Sequence, residues 1–412
     1  MNAVEPFKIE SLMQFVDVDD CDSELARRTL LDFILYTWYK KEDYIVGQHT
    51  IKICDRIDKL IKRFEKGKSS FIAITTPPRH GKSHIVSRSL PAYFKGKYPD
   101  SEILITGYAD NLLMGFSKDA RDKIVNRVKF RKTFPGLNLA RNSKSVTSWN
   151  LEYPDGEEVN GGINYAGILG GLTGKGYELG ICDDPFKSRE EAESLVIRDK
   201  VWSEFTDSFL TRRAKVSITI ILITRWHIDD IVGRIKSRMN KKSKEYDPDF
   251  PEFEIINFPA KSDEYESGWL FPERFPESWY KGHFATMSKY SSSALMQGEP
   301  VSRDGNILKI NDVKIHNNLK DFPDNIVYWR VWDLAHSKKE KVKGDPDYTS
   351  GTLMGVNYEG KNGYRIPHIW VKDVYRIRES APIRDKNIKR ITNMDGDSVK
   401  VAIEANKIGR AS

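Results

Sequence analysis

Four short runs of apolar and β-branched residues constrain this chain more than any other feature: FIAITT (Phe71 to Thr76), EILITG (Glu102 to Gly107), YELGIC (Tyr177 to Cys182) and SITIILIT (Ser217 to Thr224). Runs of this kind read as strands buried on both faces, and between them lie amphipathic segments such as HIVSRSLPAYFKGK and LLMGFSKDARDKIVNRV. Buried strands alternating with helices predict an α/β domain around a largely parallel central sheet. Upstream, ELARRTLLDFILYTWYKKED and HTIKICDRIDKLIKRFEKG place apolar residues near a 3.6-residue period and read as helices, the second ended by Gly67.

The length of 412 residues suggests two or three domains. Near Lys241 the stretch KSRMNKKSKEYDPDFPEF turns polar and proline-bearing and reads as a mobile loop. Pro259 to Gly305 is rich in aromatics, Pro and Ser with little periodicity. A new series opens at VYWRVWDLA (Val327 to Ala335), continues with two strand-like runs around a Gly-rich turn, and closes on VKVAIEA (Val399 to Ala405). The expected division is 1–245, helical over 1–66, then a linker or lid over 246–310, then a further α/β domain over 311–412. The Gly-rich run from Gly161 to Glu178 reads as a flexible hairpin or loop.

Several function classes are excluded. No run approaches the roughly 18 to 20 apolar residues that a membrane helix needs, and the acidic N-terminus lacks the pattern of a secretion signal. Cys21, Cys54 and Cys182 stand far apart, which argues against a disulfide framework or a cysteine zinc site. A net charge of +7 favours a polyanionic partner.

The first strand runs into FIAITTPPRHGKSH, where Gly81-Lys82-Ser83 lies between a strand and an expected helix. That is the setting of a phosphate-binding loop, whose backbone N–H groups and helix N-terminus face phosphate oxygens. Lys82 would neutralise β- and γ-phosphate charge and the Ser83 hydroxyl would ligate Mg²⁺, making ATP with Mg²⁺ the expected ligand. Thr76 stands where such loops usually carry their first glycine. About a hundred residues later, YELGIC delivers Asp183 and Asp184 at the end of a strand. Asp183 would hold Mg²⁺ directly or through water, and Asp184 would orient the attacking water, with Glu190 and Glu191 as fallbacks. At the end of SITIILIT, Thr224 and Arg225 are placed to feel the γ-phosphate, ahead of a helix whose first turn carries Asp229 and Asp230.

PPRHGKS, then GLTGKGYELGICDDPFK, then LITRWHIDDIVGRI, then QGEP before an Asp-ended strand together resemble the large terminase subunit of tailed bacteriophages, over roughly Leu35 to Ser412. The resemblance implies an ATP-driven motor that pumps double-stranded DNA into a procapsid, joined to an endonuclease that cuts concatemeric DNA. It implies a ring-forming homo-oligomer working with a portal protein and a small terminase subunit in the bacterial host cytoplasm, with no membrane. Arg79 would be the family's loop arginine, and Gln48 would lie by the adenine. Lys175 would sit on a loop facing DNA or a neighbouring subunit, and Arg141 is a candidate for an arginine reaching the next subunit's ATP.

Asp333 and Glu404 each stand at the end of an apolar strand, which resembles the RNase H-like nuclease domain of terminases. There, acids hold two Mg²⁺ or Mn²⁺ ions that clamp the reacting oxygens. Asp347 would be an auxiliary ligand, and Lys338, Lys339, Lys341 and Lys343 would meet DNA phosphates. The family continues with a third acid that has no place within the 412 residues, so an incomplete nuclease and weak or absent cutting are expected. Two rivals stay open: a helicase-like or repair ATPase fused to a nuclease, and a prophage remnant with ATPase but no competent nuclease.

Overall fold

The computed structural model describes residues 17–38, 43–125, 128–143, 145–172, 174–301, 314–316, 318, 322–323, 326–334, 348–361 and 364–403, without the side chains of 359–367. The chain forms two compact units, Met1–Ile307 and Leu308–Ser412.

The first unit contains strands β1 (Ser70–Thr75), β2 (Ile103–Gly107), β3 (Asn138–Leu139), β4 (Ser148–Trp149), β5 (Leu151–Glu152), β6 (Ile163–Gly167), β7 (Tyr177–Asp183), β8 (Arg213–Ile223) and β9 (Glu254–Asn257). Seven of them form one sheet in the order β4-β6-β2-β7-β8-β1-β9. All its neighbours are parallel except β4 and β6, while β3 and β5 form a separate pair. Side chains alternate along each strand, so the two faces feed different cores. Ile72, Ile74, Ile103, Ile105, Ile181 and Ile220 pack with residues of the helices Gln48–Glu65, Leu90–Lys97 and Asp110–Val125. Ala73, Leu104, Cys182, Ile221 and Ile223 pack instead with residues of Leu195–Ser203, Glu204–Phe209 and Ile231–Met239. Burial on both faces explains why these strands lack polar alternation.

Three segments differ from expectation. The Gly-rich run is not simply a flexible loop, since Ile163–Gly167 is β6, parallel to β2. Its glycine Gly161 serves close packing: a Cβ there would stand 2.3 Å from the Asp100 carbonyl oxygen. Between β6 and β7 the run is loop, and Gly171 and Gly174 there have positive φ. The central sheet also extends past residue 245, because β9 pairs with β1, and residues 246–307 lie inside the first unit. Finally, the N-terminal helical stretch is broken into Val18–Arg28 and Leu30–Thr37, where the Thr29 side chain accepts the Asp32 N–H and caps the second helix.

The second unit holds β10 (Tyr328–Asp333), β11 (Thr349–Lys361), β12 (Tyr364–Ile377), the helix Ala381–Asp395 and β13 (Lys400–Ile403). The sheet order is β12-β11-β10-β13, with β10–β11–β12 antiparallel and β13 parallel to β10. Trp332 is fully buried in it, and Arg330, 2% exposed, pairs with Asp373 at 2.6 Å and Asp395 at 2.7 Å.

Candidate functional site

In a parallel sheet the C-terminal strand ends share one rim, and ligands gather there. Thr75 pairs with Ile223 and Asp183 with Leu222, so the chain leaves β1, β7 and β8 at the same level. With β8 between β1 and β7, the loop after β1, the acids after β7 and Thr224 after β8 converge on a cleft of about 350 Å³. Pro78, Arg79, Gly81, Lys82, Ser83, Asp184 and Thr224 line it, together with His84, Arg88, Tyr108, Phe186, Lys187 and Trp226.

Lys82 is the centre of the cleft. It is 6% exposed, its Nζ lies 2.8 Å from Asp184 Oδ2, and it donates to the Thr224 hydroxyl. The other Asp184 oxygen, Oδ1, accepts the Thr224 N–H at 2.7 Å. Both oxygens of Asp184 are thus held, and its carboxylate points at the lysine that the sequence assigns to phosphate. Among the described residues only two non-glycine residues have positive φ, Arg79 at 65° and Asp184 at 44°, and both line this cleft. Each such residue costs on the order of 1–3 kcal/mol unless its surroundings hold it, and such strain concentrates at functional sites. Gly81, at φ 83°, takes the same region freely.

Asp183 faces inward. It is fully buried, Oδ2 accepts the Ser87 hydroxyl at 2.6 Å, and the Ser83 hydroxyl lies beside it. Burial first, and then the neighbouring Asp184 charge, raise its pKa above the ordinary carboxylate range. Its Oδ1 is buried and has no hydrogen-bond partner among the described residues. A carboxylate oxygen left over beside a serine hydroxyl is the donor set that a hydrated Mg²⁺ takes, so these residues fit the expected metal.

Helix geometry brings in Ser87, which sequence reasoning missed. The chain after Ser83 makes a π-helical turn, His84–Ser89, before the α-helix Leu90–Lys97 with Pro91 in its first turn. Proline cannot donate to the carbonyl one turn back and its ring crowds it, and a wider turn before it relieves both. The sequence signal was a serine four residues after Ser83 on an expected helix.

Other expected residues stand elsewhere. Gln48 begins the helix Gln48–Glu65 and donates to the Trp269 and Leu270 carbonyls at 3.3 Å, and it does not line the cleft. Glu191 accepts the Lys187 N–H at 2.8 Å at the start of the helix Arg189–Glu193, so it serves a cap, and Glu190 shares that helix's first turn. Arg225 is buried against Asp230 at 2.6 Å, while Asp230 caps the helix Ile231–Met239 by accepting the Gly233 N–H. Arg141 is 82% exposed and pairs with Glu152 at 3.3 Å. Lys175 is exposed in the loop between β6 and β7.

In the second unit, Asp333 ends β10 and is exposed. Glu404, Asp347, Lys338, Lys339, Lys341 and Lys343 lie outside the described residues; within them, the last residue of β13, Ile403, pairs with Trp332. Among the described residues no cluster of three His, Cys, Asp or Glu side chains stands together as a metal site.

Residues 73–315 match the family model of the terminase large subunit, T4likevirus-type, N-terminal. Solved structures similar to this chain include the ATPase domain of the Thermus phage P74-26 large terminase, at 14% identity over 59% of this chain and 93% of that one, TM-score 0.40. The HK97 bacteriophage large terminase is 12% identical over 84% of this chain and 69% of that one, TM-score 0.40. The Phi-28 gp11 DNA packaging motor is 9% identical over 85% and 84%, TM-score 0.33. No curated protein matches the chain.

Proposed function

This chain belongs to the terminase large-subunit family of T4-like type, and from that premise we propose that its first unit hydrolyses ATP to drive double-stranded DNA into a procapsid. The observation that carries the reading is the meeting of Lys82, Asp184 and Thr224 at the mouth of three strands, with Asp183 buried behind them.

In this proposal the N–H groups of the loop Arg79–Ser83 and the start of the following helix cradle the phosphates. Lys82 leaves Asp184 for the β- and γ-phosphates, which offer it more negative charge than one carboxylate does. Asp184 is thereby released on its Oδ2 side and still held by the Thr224 N–H on the other, so it can accept a hydrogen bond from the attacking water. Bound Mg²⁺ would supply charge neutralisation at the phosphates, held by Ser83 and Asp183. Ser87 fixes the carboxylate orientation of Asp183. Arg79, exposed at the cleft edge, is free to swing toward phosphate oxygens.

The second unit is proposed to be an RNase H-like, metal-dependent nuclease with Asp333, Glu404 and Asp347 as its acids and Mg²⁺ or Mn²⁺ as its ions. Its hairpin strands, crossover helix and parallel return strand support this reading. A portal protein, a small terminase subunit and a ring of like subunits are the proposed partners, in the cytoplasm of an infected host. No described helix is long and apolar enough to cross a membrane.

Lys82→Ala tests the motor. ATP turnover should fall by at least about a hundredfold, because the phosphate charge loses its compensation. Turnover at the wild-type rate would remove the assignment.

A further inference from the structure

Behind the phosphate-binding loop lies a set of side chains that do not reach the cleft and yet hold the loop's backbone. His80 is 1% exposed; its Nδ1 is 2.8 Å from the Pro78 carbonyl oxygen and its Nε2 is 2.7 Å from Tyr280 Oη. A carbonyl oxygen only accepts, so Nδ1 carries the ring proton. Burial, with smaller contributions from His49, Lys82 and Arg274, keeps the ring neutral by pulling its pKa down to about 4. Nε2 is then an acceptor, and Tyr280 donates its hydroxyl proton to it. Tyr280 Oη itself accepts the Phe271 N–H at 3.1 Å. From the other side, His49 Nε2 donates to the His80 carbonyl at 2.7 Å. The backbone is therefore pinned on both sides of Arg79, the residue whose φ of 65° needs outside support.

Both anchors come from elements outside the cleft. Tyr280, on the helix Glu277–Thr286, is fully buried with Ala260, Trp269 and Met296, and its ring stacks on Trp269 at 4.8 Å. His49 lies in the first turn of Gln48–Glu65, edge-on to Phe271 at 4.8 Å. Neither side chain lines the cleft.

We propose that Tyr280 and His49 are positioning residues for nucleotide binding, holding Pro78–Gly81 through the His80 ring and carbonyl in the shape that presents Gly81, Lys82 and Ser83 to phosphate. The inference rests on the nucleotide-site reading above. It adds that the segment carrying Phe271 and Tyr280 is tied to the loop by hydrogen bonds as well as by packing, so the loop's shape depends on residues about 190 to 200 positions later in the chain.

Tyr280→Phe keeps the ring and removes one hydroxyl. In the full chain, the Kd for MgATP is expected to rise about tenfold, because His80 Nε2 and the Phe271 N–H both lose their partner. KM should follow Kd, kcat should change by less than about threefold since Lys82 and Asp184 are untouched, and Tm should stay within about 3 °C. His80→Leu, which also removes the hydrogen bond to the Pro78 carbonyl, should lose at least as much. His80→Gln, whose amide oxygen accepts the Tyr280 proton, should restore most of the binding. Combining Tyr280→Phe with His80→Leu should be no worse than His80→Leu alone, because the leucine has already broken the bond to Tyr280. A hydroxyl serving stability alone would lower Tm and leave Kd and KM at wild-type values. That result overturns the inference, as do additive losses in the double variant. So does wild-type Kd in a folded His80→Leu, should Tyr280→Phe not fold. A wild-type chain that neither binds nor hydrolyses MgATP overturns the nucleotide-site reading and this inference with it; the earlier outcomes overturn the inference alone.

Discussion

At the scale of single residues, the first unit spends stability on its cleft. Arg79 and Asp184 hold left-handed backbone, Asp183 keeps a charge-bearing group in the interior, and His80, buried, and His84, half-buried, are held as neutral rings. The histidines make this visible as pH dependence. Burial lowers His80 to about 4 and His84 to about 3, against about 6.5 in the unfolded chain. Below pH 6.5 the unfolded state therefore binds more protons, and stability is lost as pH falls from there toward pH 4. For His80 alone the loss is at most about 3 kcal/mol by pH 4. Asp183 works in the opposite sense, since its raised pKa lets the native state take up a proton first. Denaturant melts at pH 7.5, 6 and 5 should show a falling midpoint, and His80→Gln should flatten that fall. An unchanged slope in the variant would mean that His80 does not titrate as its burial requires.

Among elements, β6 shows how composition misleads. Glycine-rich sequence suggests flexibility because glycine loses most entropy on ordering. Here Gly161 stands just before β6 against the Asp100–Ser101 backbone, and Gly167 donates its N–H to Asp110 Oδ1 at 2.7 Å. Gly161→Ala should therefore destabilise the chain by about 1–3 kcal/mol, the usual cost of overpacking, read as a drop in Tm. A melting temperature equal to wild type would mean that the approach is loose. The same element shows what was legible: β1, β2, β7 and β8 are apolar enough to declare themselves, whereas β6 and β9 are short and interrupted by small or polar residues. Their strand character comes from neighbours already in place, β2 and β1, and so does not show in their own residues.

For the whole molecule, charge is unevenly divided. Residues 308–412 hold 20 Lys and Arg against 14 Asp and Glu, so +6 of the net +7 lies in the second unit. Asp333 pairs with Ser350 and Ser350 with Arg376, which puts Arg376 in the same cross-strand row. Arg376 and Arg378 stand over the Tyr348 ring at 4.2 and 4.0 Å. Under the DNA-handling role proposed above, this edge should meet phosphates. Replacing Arg376 and Arg378 together by Ala should weaken duplex binding and lower the slope of log affinity against log salt by about 1 to 2. ATP turnover without DNA should not change. An unaltered salt slope would put the DNA contact elsewhere.

The local sequence by itself determined β1, β2, β7 and β8, the Gly-Lys-Ser corner and the twin aspartates, because each is written in neighbouring residues: apolar runs, a Gly-Lys-Ser turn, acids at a strand end. Tertiary structure alone decided the strand order that sets β8 between β1 and β7 and so closes Lys82 on Asp184 and Thr224. It also decided that Ser87 would turn toward Asp183, that Gln48 would serve the 269–270 backbone, and that His80 would find Tyr280. Those pairings join residues from 96 to 222 positions apart, and a hydrogen bond has no pattern along the chain until packing brings its two ends into contact.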